Sequence, residues 1–261
     1  MMQFRTETIG DCTLYLGNCL EVMPHIDPVD HVMTDPPYEA IMHQAKAKAS
    51  QRKLRTDGKP EIQSLDFDAI DDIRDEVVSQ CAAICSGWLL AFCSPEGVGR
   101  WANTINASDA KYKRACVWIK PDAAPQMNGQ GPAMGAENFV VAWCGTGYAK
   151  WNAGGKRGVY THCTNAKDRD RRHPTEKPWR LMAELINDFT NPDQLILDPF
   201  MGSGTTGVAC VKQGRRFIGI EKSERYFDIA CERISAAQRE PDMFLSSKKT
   251  QVGLFDAEAA E

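Results

Sequence analysis

Apolar positions along this chain fall into two alternating patterns. Short, nearly continuous apolar runs recur at Thr13–Leu16, His31–Thr34, Trp88–Cys93, Ala115–Ile119, Phe139–Trp143, Gln194–Leu197 and Arg216–Ile220. Runs of this kind suit strands covered on both faces of a sheet. Between them, apolar residues recur at three- and four-residue spacing. Ile70, Ile73, Val77, Cys81 and Ile84 share one helical face. Leu181, Met182, Leu185, Ile186 and Phe189 do the same after Pro178, which suits a first helical turn because no N–H is needed there. Ser223 is placed to cap a helix through Phe227, Ala230 and Ile234. Strands alternating with helices predict an α/β fold, a mostly parallel sheet with helices on both faces.

Three stretches break the pattern. Residues Glu39–Ser64 are polar and carry Lys46, Lys48, Arg52, Lys53, Arg55 and Lys59 against only three acids. Residues Gly145–Arg172 read as loop and hold Lys156, Arg157, Lys167, Arg169, Arg171 and Arg172. Residues Glu240–Glu261 read as a loosely held tail. The organisation expected is one domain over residues 1–240, with a mobile basic loop at 39–64 and a tail at 241–261. The net charge is −4, from 31 Lys+Arg and 35 Asp+Glu, which excludes a globally basic coat but not local basic patches. No run of about 18 apolar residues is present, so no spanning helix is expected. Met1-Met2-Gln3-Phe4-Arg5 lacks the apolar stretch of a signal peptide, and the expected setting is cytoplasmic. The ten Cys show no Cys-x-x-Cys pair and lie mostly in apolar runs, so they read as buried reduced thiols, with no metal site expected.

Candidate chemistry sits in two places. The run Leu195-Ile196-Leu197-Asp198-Pro199-Phe200-Met201-Gly202-Ser203-Gly204-Thr205-Thr206-Gly207 reads as a strand, a tight turn and a helix start. Its glycines match G-x-G-x-x-G, and Glu221 ends the next apolar run, where an acid can accept hydrogen bonds from ribose hydroxyls. That pattern points to an adenosine-containing cofactor, or to a ligand-free glycine turn. NAD is one such cofactor, but a dinucleotide fold usually opens with this turn. Here the other strands precede it, so the order is permuted. The second place is Asp35-Pro36-Pro37-Tyr38, directly after the His31–Thr34 run. Ligands of open α/β sheets bind beyond the carboxyl ends of strands. A carboxylate, the Pro36 carbonyl and an aromatic face suit an exocyclic amine on a flat heteroaromatic ring. A rigid proline turn capped by Asp35 is the plainer alternative.

The two motifs together resemble the amino-methyltransferases of DNA, and His173-Pro174-Thr175-Glu176-Lys177-Pro178 resembles the H-P-T-(Q/E)-K-P segment of their β-class. The resemblance implies a circularly permuted Rossmann-like methyltransferase fold. It also implies transfer of a methyl group from S-adenosylmethionine to adenine N6 or cytosine N4 in DNA. It assigns the cofactor's methionine and sugar part to Asp198, Phe200, Gly202, Gly204 and Thr205, its ribose hydroxyls to Glu221, its carboxylate end to Thr175 and Lys177, and its adenine to Asn18 and Cys19. Asn18 departs from the acid usual in relatives. Asp35, Pro36, Pro37 and Tyr38 would hold the target base. Lys46, Lys48, Arg52, Lys53, Arg55, Arg169, Arg171 and Arg172 would meet DNA, with residues 145–172 as a short target-recognition segment in which Trp151 and Tyr160 reach bases. Trp118-Ile119-Lys120 and Glu137-Asn138-Phe139 resemble weaker family segments near the target pocket. An aspartate at the head of the tetrapeptide favours adenine N6; cytosine N4 is the alternative. A NAD-dependent oxidoreductase and a catalytically silent DNA-binding module are the rival classes. Relatives of this kind are often homodimers.

Overall fold

The computed structural model describes residues 4–37, 70–125, 127, 131–164 and 177–239. The first strands, β1 (Arg5–Ile9) and β2 (Cys12–Leu16), form an antiparallel hairpin. After them come β3 (His31–Thr34), β4 (Trp88–Cys93), β5 (Lys111–Ile119), β6 (Ala136–Trp143), β7 (Val159–Thr161), β8 (Leu195–Asp198) and β9 (Arg216–Glu221). All join one sheet in the order β1-β2-β9-β8-β3-β4-β6-β5-β7. From β2 through β4 every neighbour is parallel. β6 runs antiparallel between β4 and β5. The expectation of a mostly parallel sheet holds. The glycine-turn strand, β8, is late in the chain yet central in the sheet, as a permuted order requires.

Six α-helices are described: α1 (Cys19–Val22), α2 (Arg74–Ile84), α3 (Val98–Ala107), α4 (Trp179–Phe189), α5 (Thr205–Lys212) and α6 (Glu224–Arg239). They split by face, and alternation along the strands enforces the split. Leu90, Phe92, Met33, Ile196 and Phe217 point into a cluster with residues of α4, α5 and α6. Leu89, Ala91, Val32, Leu197 and Ile220 point the other way, into a cluster with residues of α1, α2 and α3. Full burial of each Leu contributes about 1.5–3 kcal/mol, so slipping β4 by one residue would gain nothing on either face. Pro178 stands one residue before α4, with φ −60° and ψ 126°. The Phe227 N–H donates to the Ser223 carbonyl, which puts Ser223 at the start of α6 as expected.

Several elements differ from the sequence reading, among them β1, β7 and α3. β1 was not anticipated, because four of its five residues are exposed and it carries no apolar run. β7 lies inside the stretch expected to be loop. α3 buries only Trp101 and Ile105, too sparse a stripe to announce a helix. All ten Cys are free, and seven of them are buried. No helix among the described residues is long and apolar enough to cross a membrane.

Candidate active site

Because β2, β9, β8, β3 and β4 run parallel, their carboxyl ends form one rim. Gly17-Asn18-Cys19, Glu221, the glycine turn and Asp35-Pro36-Pro37 therefore come together from opposite ends of the sequence. β5 points the same way as β4, since both are antiparallel to β6. Lys120, just past β5, and Glu137, at the start of β6, thus stand at the same rim.

Asp198 ends β8 with its side chain in the floor of the site, only 2% exposed. The Thr34 hydroxyl donates to its Oδ1 at 2.8 Å and the Thr206 hydroxyl to its Oδ2 at 2.6 Å. The Phe200 N–H adds a third donor at 3.1 Å. Burial pushes the carboxyl up to about 6, and these three donors oppose the push. Asp198 therefore ties β3, the residue before Asp35, to the first turn of α5. Both of its oxygens are engaged within the protein, which makes it a clamp between the two motifs.

Glu221 ends β9 and is buried. Its Oε2 accepts the Gly202 N–H at 3.0 Å and its Oε1 the Ser223 N–H at 2.8 Å. Burial raises its carboxyl above the usual range, against those two donors. Each oxygen keeps a lone pair, so a rigid two-pronged acceptor stands beside the glycine turn. The Gly17 N–H donates to the Glu221 carbonyl at 2.9 Å, which brings Asn18 and buried Cys19 alongside. Asn18 caps α1, with its Oδ1 accepting the Leu20 N–H at 3.1 Å.

The glycines divide by role. Gly202, with φ +52°, has no described atom within 4 Å of where a Cβ would stand, so its open side is available to a ligand. Gly204, with φ +81°, faces α6: a Cβ there would lie 2.9 Å from Ala230 Cβ. Gly207 faces Ile234 and Phe217. Thr205 is buried, and Arg233 donates to its Oγ1 at 3.3 Å and to the Ser203 carbonyl at 2.6 Å. Phe200 is partly buried against the α1–α3 face.

Asp35 keeps 28% of its side chain open. Its Oδ2 lies 2.6 Å from Lys177 Nζ, and Lys177 is 5% exposed. The same ammonium lies 3.3 Å from Glu137 Oε2 and 4.9 Å from the centre of the Phe92 ring. Glu137 pairs in turn with Lys120 through Oε1. The protein walls around Asp35 push its carboxyl up, Lys177 pulls it down, and Glu137 adds to the rise; the balance is upward. The sequence pattern singled out Lys120, Glu137 and Lys177 separately, but nothing in their spacing joins them.

Other predicted residues fall differently. Tyr160, expected to reach bases, is a core residue of β7: it is buried against Phe139, and its hydroxyl donates to Asp188 at 2.9 Å. Trp151 packs edge-on to Phe189, with centroids 4.7 Å apart. Lys156 pairs with Glu184 at 2.7 Å and with Asp188, so it belongs to the α4 surface. Tyr38, Lys46, Lys48, Arg52, Lys53, Arg55, Arg169, Arg171, Arg172 and Thr175 lie outside the described residues.

Comparison with known proteins bears on what such a rim does. A family model for N6/N4 methyltransferases, described as DNA methylase, matches residues 29–232. Over 70 residues the chain is 50% identical to the Escherichia coli (strain K12) protein YubD, a match covering 27% of this chain and 31% of that protein. It is 27% identical to the Type II methyltransferase M.HinfI of Haemophilus influenzae, across 90% of this chain and 72% of that one. Among solved structures, the M1.HpyAVI–SAM complex superposes with a TM-score of 0.65 at 26% identity, covering 85% of this chain and 98% of that chain.

Proposed function

This chain belongs to the N6/N4 DNA methylase family, and we propose that it transfers a methyl group from S-adenosylmethionine to the exocyclic N6 of adenine in DNA. The observation that carries the reading is the junction at the rim. The Asp35 tetrapeptide and the glycine turn, remote in sequence, are clamped together through Thr34, Asp198 and Thr206. That junction supports a reading in which a donor cradle and an amine acceptor stand side by side at one rim.

The residues present fit the cofactor. Glu221 offers two fixed acceptor oxygens to vicinal hydroxyls, and Gly202 leaves space where a side chain would intrude. Asn18 and Cys19 flank that end, whereas Lys177, expected at the cofactor's carboxylate end, instead directs its ammonium to Asp35 and Glu137. When bound, the sulfonium supplies an activated methyl group and leaves as a neutral thioether. The protein's own task is to aim the nucleophile. An aromatic amine is a weak nucleophile because its lone pair is delocalised into the ring. Asp35 and the Pro36 carbonyl each accept one N–H, which favours a pyramidal nitrogen with its lone pair directed at the methyl. This is acceptor charge fixed in advance where positive charge develops, together with in-line positioning. The exocyclic amine of a stacked, paired base lies inside the duplex, so the base must be extruded to reach Asp35, at about a few kcal/mol. Tyr38 stacking returns about 1–3 kcal/mol of that. The basic residues of 39–64 and Arg169, Arg171 and Arg172 supply the positive charge that neutralises phosphates. The choice of adenine rests on the aspartate that heads the tetrapeptide.

The test is transfer of labelled methyl groups to unmethylated DNA, followed by mass spectrometry of the nucleosides. N6-methyladenine is expected. N4-methylcytosine would replace the proposed target and leave the chemistry intact. The Asp35→Ala variant should lose transfer by several orders of magnitude while binding S-adenosylmethionine in calorimetry. Rapid transfer by that variant would remove Asp35 from the reaction.

A further inference from the structure

Lys120, Glu137, Lys177 and Asp35 form an unbroken row of alternating charge along the rim. The row crosses four segments: the ends of β5 and β3, the start of β6 and the approach to α4. Exposure rises along its second half, from 5% at Lys177 to 28% at Asp35. Asp35 is the most exposed member of the row, with Lys120 and Glu137 at 13% and 15%. Ordered ion pairs this enclosed are costly to desolvate and contribute little net stability, so their value must be sought in what they hold in place.

We infer that Lys177 and Glu137 are positioning residues for methyl transfer: Glu137 anchors the Lys177 ammonium, and that ammonium fixes one oxygen of Asp35 so that the other meets the target amine. The inference rests on the methyl-transfer reading and deepens it. The two residues act on Asp35 with opposite sign. Lys177 stabilises its charged form directly. Glu137 repels that charge and also restrains the Lys177 ammonium, drawing part of it away from Asp35. A group that aligns an amine must stay charged yet not be smothered by its counter-ion, and a cation shared between two carboxylates meets both demands. Lys120 sets the share, since it neutralises the far side of Glu137. The charged groups facing Asp35 are then Lys177 from the approach to α4, Glu137 from β6, Lys120 from β5 and Asp198 from β8.

The opposed signs give a signature that a merely structural role would not produce. Removing the ammonium should make Asp35 less acidic; removing the Glu137 charge should make it more acidic. The experiment follows the Asp35 carboxyl carbon by 13C NMR across pH, assigned by difference from Asp35→Asn, in the full-length wild type, Lys177→Met, Lys177→Arg and Glu137→Gln. Single-turnover transfer is measured on the same proteins. Lys177→Met should move the titration, and the acid limb of the rate, to higher pH. Glu137→Gln should move both to lower pH, and Lys177→Arg should restore a wild-type titration. Thermal melts identify any variant that fails to fold, and the remaining pair still tests the sign. Shifts that are absent or in the same direction overturn the inference, as does an acid limb that ignores an observed titration shift. Opposed titration shifts in a wild type that methylates no DNA overturn the functional reading itself.

Discussion

Replacing Gly204 with alanine separates two reasons for a glycine in the turn. Gly204 has φ +81° and precedes the first residue of α5. An L-residue held in that left-handed region costs about 1–2 kcal/mol. The new Cβ would also stand 2.9 Å from Ala230 Cβ and 3.1 Å from Ala230 Cα, inside contact distance of α6. Relieving such overpacking costs about 1–3 kcal/mol, so Gly204→Ala should lose about 2–5 kcal/mol in all. For a domain of this size each kcal/mol is about 2–4 °C in melting temperature, which predicts a fall of roughly 5–20 °C. Gly202→Ala is the control within the same turn. It has φ +52° but meets no described atom, so only the conformational cost of about 1–2 kcal/mol applies. Its methyl group enters the space assigned to the cofactor, so its main effect should be on S-adenosylmethionine affinity. Thermal unfolding by circular dichroism without cofactor, paired with calorimetric binding, measures both. A Gly204→Ala variant that melts no lower than Gly202→Ala would refute the packing argument.

Asp198, raised by burial to about 6 from an ordinary 3.8, binds its proton more tightly when folded. The stability that protonation contributes is complete below the ordinary value and lost as pH rises through about 6. Wild type should therefore gain up to about 3 kcal/mol on Asp198→Asn between pH 7.5 and 4, and a difference in urea stability that stays flat over that interval would disprove it. Changing Lys46, Lys48, Arg52, Lys53 and Arg55 to serine should weaken DNA binding and flatten its logarithmic salt dependence by up to about 4.5 units, at about 0.9 per phosphate contact. An unchanged slope in fluorescence anisotropy would take those residues off the DNA.

What the sequence disclosed followed from burial on two faces. β3, β4, β8 and β9 are nearly all buried because helices cover both sides, and their apolar runs stand out. β1 is a solvent-facing hairpin arm, and its only cue was Gly10-Asp11, a two-residue turn between Ile9 and Cys12. The site divides in the same way. Asp35, the glycine turn and Glu221 belong to contiguous motifs and could be read locally. The Asp198 clamp and the charge row could not, since Thr34 and Thr206, or Lys120 and Lys177, become neighbours only after the sheet assembles. Gly204 carries a role its motif does not announce: its bare face serves the packing of α6.

The strand order also constrains how the molecule comes into being. β2 and β3 are consecutive in the chain, yet β9 and β8 lie between them. A ribosome delivers the outer pieces before the two wedges, so the two sides of the sheet cannot be joined until Glu221 has emerged. Closure must await contacts between residues some two hundred positions apart, as Cys12 with Phe217, a slow and non-local step. The rim is therefore completed only when β8 and β9 take their places, and a shortened product ending before β8 would hold Asp35 with no glycine turn beside it.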